Sequence, residues 1–184
     1  CIYRWRSDDD KVDGEAAMIA QGFGSLMLCL SLLFVAMPVS AEFLALSLDN
    51  DLAAEIEDAR DEGKRLVVMF EQEACPWCLK MRERVFPESR IDKYFSSHFV
   101  MLPSDIRGDL EMVAPDGKAM TQKEFARQKR VRATPVFLFF DLEGKDVVRV
   151  TGFQDAETFL TTGRYVVDEI YKTGKSLARY HQGR

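Results

Sequence analysis

Residues 65–78 read RLVVMFEQEACPWC, and the passage from an apolar run into a pair of cysteines decides the architecture. The first seven residues, RLVVMFE, are β-branched and apolar. They are too few for a helix and end at polar Gln72, which predicts a buried central strand. After it, Cys75-Pro76-Trp77-Cys78 opens a helix expected to reach about Val85, where Phe86-Pro87 ends it. Pro76 suits the first turn because its missing N–H is not needed there. The spacing places Cys75 at the helix N-terminus and Cys78 one turn further in, so their sulfurs can bond without moving the backbone. Unpaired N–H groups and the positive end of the helix dipole stabilise a Cys75 thiolate, the reactive form. Cys75 is therefore the expected nucleophile. Cys78, shielded by the helix, is the expected resolving thiol.

On the N-terminal side, residues 51–62 place Leu52, Ile56 and Ala59 on one helical face, with Asp49 or Asn50 as N-cap and Gly63 as the stop. On the C-terminal side, residues 90–96 predict a further helical turn or two, and residues 99–102 (FVML) a short strand ending before Pro103. The two strands and the helix between them make a βαβ unit. Residues 104–120 are polar and rich in turn formers, with Pro115-Asp116-Gly117 at the tip of a small hairpin. Thr121 and Glu124 have the spacing of a capping box, opening a helix to about Lys129. Residues 136–140 (VFLFF) and 147–150 (VVRV), joined by DLEGK, predict an antiparallel hairpin. A long helix is expected from Asp155 to about Lys172, and a frayed tail beyond it. The phenylalanines at 137, 139 and 140 are expected in the core.

The chain of 184 residues carries a net charge of -5, with 47% apolar and 30% charged residues, which describes one soluble domain plus a leader. No basic face is implied, so nucleic acid is not an expected partner. Residues 26–37 (LMLCLSLLFVAM) are apolar, followed by Pro38 and the small-residue ending Val39-Ser40-Ala41. This is the pattern of a cleavable signal peptide, and the run is short for a bilayer core that needs about 20 apolar residues. An uncleaved anchor and a buried helix are the competing readings. A start at Met18 leaves no Lys or Arg before the run, against the usual positive flank. The expected division is thus an upstream extension without fold over residues 1–17, a signal peptide over 18–41, and one domain over 42–184. Cys29 follows Leu28, where lipid attachment wants a small residue. After processing only Cys75 and Cys78 remain, enough for one reversible disulfide in an oxidising compartment. A zinc site needs four ligands, and the mature chain offers only His98 and His181 besides, so no metal and no cofactor are expected.

Three segments, FEQEACPWCLKM (70–81), RATPVFLFFDLEGK (132–145) and VTGF (150–153), resemble the thioredoxin superfamily, most of all SoxW-type periplasmic thioredoxins. The resemblance covers about residues 50–172. It implies a thioredoxin-like α/β fold, a central mixed sheet flanked by helices, with an insertion over about residues 103–120 lengthening the approach to the Pro135 strand. It also implies a cis peptide before Pro135, with the backbone of Thr134 lying along the substrate chain, and a glycine at Gly152 lining the same groove. Trp77, between two reactive thiols, is expected to be an exposed contact residue. One departure stands out: the buried acid that many thioredoxins carry six residues before the first cysteine corresponds here to Met69. Glu71, Glu73 or water is then left as proton acceptor for Cys78. The Lys129–Arg132 run is expected to be a solvated helix end near the groove.

The function implied is a periplasmic protein-disulfide reductase acting as a monomer on exported proteins, recharged by a membrane electron donor. Sulfur-oxidation proteins or apocytochromes are the clients the resemblance implies. A disulfide oxidase or isomerase is the nearest alternative. A redox-dependent binding module that holds a client without turnover is the alternative from another class.

Overall fold

The run at Arg65–Glu71 forms strand β1, and six of its seven residues are buried because both faces of it are covered. The computed structural model describes residues 43–45, 47 and 50–183; the expected extension and signal peptide lie outside the described residues. In chain order the elements are α1 (Leu52–Asp61), β1, α2 (Pro76–Lys80) continued by a π-turn (Met81–Val85), α3 (Ser89–His98), β2 (Phe99–Asp105), β3 (Glu111–Val113), β4 (Ala119–Thr121), α4 (Gln122–Gln128), β5 (Val136–Phe140), β6 (Asp146–Thr151), α5 (Ala156–Val167), a 3-10 turn (Ile170–Thr173) and α6 (Leu177–Gln182). The main sheet has the order β2-β1-β5-β6, with β2 parallel to β1 and the other neighbours antiparallel. This is the expected thioredoxin-like α/β fold.

Strand alternation divides the core in two. Val67, Met69, Met101, Phe137 and Phe139 point to one face, where Phe86, Phe95 and Phe159 pack on them. Leu66, Val68, Phe70, Leu138 and Phe140 point to the other, against Leu52, Ile56 and Phe125. The first face also holds both cysteines, so the dithiol helix rests on an aromatic floor.

Several local expectations change once the chain is folded. Asp51, rather than Asp49 or Asn50, caps α1: its carboxylate accepts from the N–H groups of Ala53 and Ala54 at 2.9 and 3.0 Å. Strand β2 runs through Pro103 to Asp105 instead of stopping at Leu102. It is an edge strand, and the Met101 N–H points outward to the Phe43 carbonyl at 2.7 Å. Two residues on, the nitrogen of Pro103 faces the same outer side, so its missing N–H removes no bond of the β1 ladder. Helix α3 is longer than two turns because Ile91 and Phe95 bury its inner face.

The last long helix stops at Val167 rather than Lys172, because Glu169 takes the left-handed conformation (φ 52°). The C-terminal segment beyond it is folded rather than frayed. Ser176 caps α6, Tyr180 is buried against Tyr165 with ring centroids 5.5 Å apart, and the Tyr165 hydroxyl donates to the Lys175 carbonyl at 2.7 Å.

The insertion is the hairpin β3–β4 with its turn at residues 114–118, docked by a hydrogen bond from the Val113 N–H to the Asn50 carbonyl. The Thr121/Glu124 capping box is formed as expected.

Candidate active site

At the end of β1 the chain must turn sharply to start α2, and Ala74 makes that turn in the left-handed region (φ 55°). For a residue with a Cβ this conformation costs about 1 kcal/mol. No sequence signal marks it, since glycine is the usual residue there. The turn delivers Cys75 as N-cap of α2, where its Sγ accepts from the Cys78 N–H at 3.1 Å. The two cysteines form a disulfide with Cα atoms 5.3 Å apart. Both cysteines are buried, Cys75 at 8% exposed and Cys78 at 4%.

The loop before β5 closes on the same sulfur from the other side. The Thr134–Pro135 peptide is cis, and the Thr134 hydroxyl donates to Cys75 Sγ at 3.2 Å. Two donors therefore converge on one sulfur, the arrangement that holds negative charge as a thiolate forms.

Gly152, at φ +87°, donates its N–H to the Pro135 carbonyl at 2.8 Å and so ties β6 to the cis-proline loop. A Cβ there would meet nothing within 4 Å, so glycine is required for its backbone angle rather than for space. The next residues are held to the dithiol helix: the Gln154 N–H lies 3.4 Å from Met81 Sδ. Asp155 then caps α5, its carboxyl held below the usual range chiefly by the Thr158 N–H.

Trp77 is 51% exposed, with its ring 6.0 Å from that of Phe153. Lys80 Nζ lies 5.2 Å from the Trp77 ring centroid and 4.2 Å from that of Phe153. Cys75, Cys78, Thr134 and Pro135 thus come together, Gly152 joins them through its bond to the Pro135 carbonyl, and Trp77 meets the neighbouring Phe153. Phe153 closes the VTGF segment directly after Gly152, where the sequence resemblance assigns a role to the glycine alone.

Met69 is fully buried among apolar side chains, at the position where many thioredoxins carry an acid. Glu73 is exposed, and Glu71 is held by Arg82 through two hydrogen bonds of 2.8 Å. Arg82 is a member of the site that no sequence pattern indicates. Lys129 does not face the groove: it pairs with Asp146 at 3.3 Å, beside Phe140 at the opposite end of β5 from Pro135. His98 stacks on Tyr94 at 4.4 Å, within α3.

The thioredoxin-like domain family matches residues 52–167. The disulfide bond reductase DsbH of Chlamydia pneumoniae is 25% identical over 103 residues, covering 55% of this chain. The match spans 60% of that relative's length. A thioredoxin-fold protein from Helicobacter pylori superposes with a TM-score of 0.58 at 17% identity, over 70% of this chain and 91% of that one. A thioredoxin from Thermus thermophilus superposes with a TM-score of 0.51 at 25% identity, over 67% and 88%.

Proposed function

The chain belongs to the thioredoxin-like domain family, and from that premise we propose that it is a periplasmic thiol–disulfide oxidoreductase that reduces disulfides of exported proteins. The observation that supports the thiol–disulfide chemistry is the convergence on Cys75 Sγ of the Cys78 N–H and the Thr134 hydroxyl, beside the Pro135 loop; the reducing direction rests on the dipeptide Pro76-Trp77, which adds no positive charge beside Cys75.

In the reduced protein the Cys75 thiolate attacks one sulfur of a client disulfide. A mixed disulfide forms and one client thiolate leaves. Cys78 loses its proton and attacks Cys75 Sγ, the second client thiolate departs, and the Cys75–Cys78 disulfide remains. Two electrons have passed to the client. A membrane donor returns two electrons and two protons to close the cycle. Trp77, Thr134, Pro135 and Gly152 form the surface on which the client chain is laid out.

Export rests on the apolar run at residues 26–37 and the small residues before Glu42. Mass measurement on protein recovered from the periplasm is expected to place the N-terminus at Glu42. An uncleaved chain in the membrane fraction would replace this reading with an anchor.

The direction of electron flow is tested by equilibrating the pair against glutathione buffers. The expected potential lies well below the roughly -120 mV of a strongly oxidising dithiol, because Pro76 and Trp77 add no positive charge to stabilise the thiolate. A pair that stays largely dithiol in a strongly oxidising buffer would make the protein an oxidase instead.

A further inference from the structure

A cavity of about 630 Å³ opens beside the disulfide, on the side where Leu79 stands exposed. Cys75 and Cys78 line it together with Glu71, Glu73, Arg82 and Asp105. These charged groups come from the end of β1, the loop after it, the helix that carries Cys78, and the end of β2. Among the described residues Arg82 is the single cation of the lining. Its charge is answered by Glu71 through a two-pronged contact at 2.8 Å to each carboxylate oxygen. The side chains are 31% and 25% exposed, so solvent screens the pair incompletely.

We propose that the Glu71–Arg82 ion pair tunes the redox balance of the dithiol, Glu71 cancelling a guanidinium that would otherwise stabilise the cysteine thiolates and make the pair more oxidising. The inference rests on the oxidoreductase reading. Its physical basis is that reduction of the disulfide creates a negative charge and oxidation removes it. In the glutathione equilibrium, the protein disulfide and two glutathione thiols exchange for the protein dithiol and one glutathione disulfide. At neutral pH the dithiol side includes thiolate, and any nearby cation favours that side. With Glu71 in place the guanidinium is neutralised and the remaining carboxylates, Glu73 and Asp105, disfavour thiolate. The disulfide form then predominates at equilibrium, which is the condition for a good reductant. The hydrogen bonds to Cys75 Sγ come from the Cys78 N–H and the Thr134 hydroxyl; Glu71 and Arg82 act through the field they create in the cavity.

The test is the glutathione equilibrium of four proteins measured side by side at neutral pH and low salt: wild type, Glu71→Gln, Arg82→Gln, and the double variant. Glu71→Gln leaves the guanidinium unopposed and is expected to shift the equilibrium about three- to tenfold toward dithiol. Arg82→Gln leaves the carboxylate unopposed and is expected to shift it toward disulfide by a similar factor. The double variant is expected to return to within about twofold of wild type. A tenfold shift corresponds to about 30 mV for this two-electron couple. Glu71→Asp and Arg82→Lys keep the charges and are expected to keep the wild-type equilibrium, which separates a charge effect from a loss of local packing.

Shifts of the same sign in the two single variants, or shifts under twofold in both, would overturn the proposal. So would a double variant that shifts as far as one of the singles. Wild type reports separately on the underlying reading: if its cysteines failed to exchange with glutathione at all, the oxidoreductase assignment itself would fall.

Discussion

Serine in place of Cys78 is expected to stop turnover and leave client proteins covalently attached to Cys75. Attack by Cys75 needs only its own thiolate, and the donors that stabilise that thiolate, the residue-78 backbone N–H and the Thr134 hydroxyl, survive the substitution. Release needs the second thiol. A thiol held one helical turn away reacts intramolecularly, with effective molarities that reach about 10⁵ M or more for well-oriented groups. A millimolar external thiol is a poor replacement, so multiple-turnover reduction of a disulfide client should fall by at least about a thousandfold. The trapped species should appear on non-reducing gels and vanish with dithiothreitol. Cys75→Ser should lose turnover to the same extent and trap nothing. A Cys78→Ser protein that holds its client without a reducible bond would establish the binding-module reading in place of catalysis.

Truncating Phe159 to alanine is expected to produce the largest loss of stability of any single change in the aromatic floor. Its ring is fully buried and stacks on Phe95 with centroids 4.4 Å apart and planes 7° from parallel. It also lies 5.1 Å from Phe137 and 5.7 Å from Phe86, so one residue of α5 joins the sheet, α3 and the end of the dithiol helix. Fully buried Phe-to-Ala changes cost about 3–5 kcal/mol, the transfer of the ring plus the cavity it leaves. Rings above and below the vacancy are braced by further rings, Phe43 against Phe86 and Phe95, and Phe99 against Phe95, which limits collapse. Urea unfolding of the oxidised protein should show the loss as a lower midpoint with little change in slope. A cost under about 1.5 kcal/mol would mean that the core refills the space and that the aromatic floor does not brace the site.

The consequences of these two changes differ because the dithiol chemistry is local while its support is not. The sulfur-to-sulfur relation is set within one helical turn by the Cys75–Cys78 spacing. The approach of Thr134 depends on β5 lying antiparallel to β1, which places Val136 opposite Phe70, just before the turn into α2.

Where chemistry and local structure coincide in the chain, residues alone are enough. The strand at Arg65–Glu71, the strand at Val136–Phe140 and the capping box at Thr121 depend on neighbours a few positions away, and each forms where its pattern predicts. The pairing of Cys75 with Cys78 belongs to the same class, since a three-residue spacing at a helix start needs no distant partner. The cis peptide at Pro135 and the glycine at Gly152 are legible through resemblance rather than through periodicity.

Tertiary structure decides what depends on distant groups. Strand β2 continues through Pro103 because that nitrogen faces outward from a sheet edge, a fact about strand order. Helix α6 exists because Tyr180 finds Tyr165, fifteen residues upstream, and a single buried aromatic in a polar tail carries no periodic signal. Arg82 enters the site because Glu71 meets it across the cavity, a charge pair whose members lie on different elements. Periodicity records which face of an element is buried. It does not record which other element covers that face, because that contact is made only when the sheet assembles and brings separate segments within reach of one another.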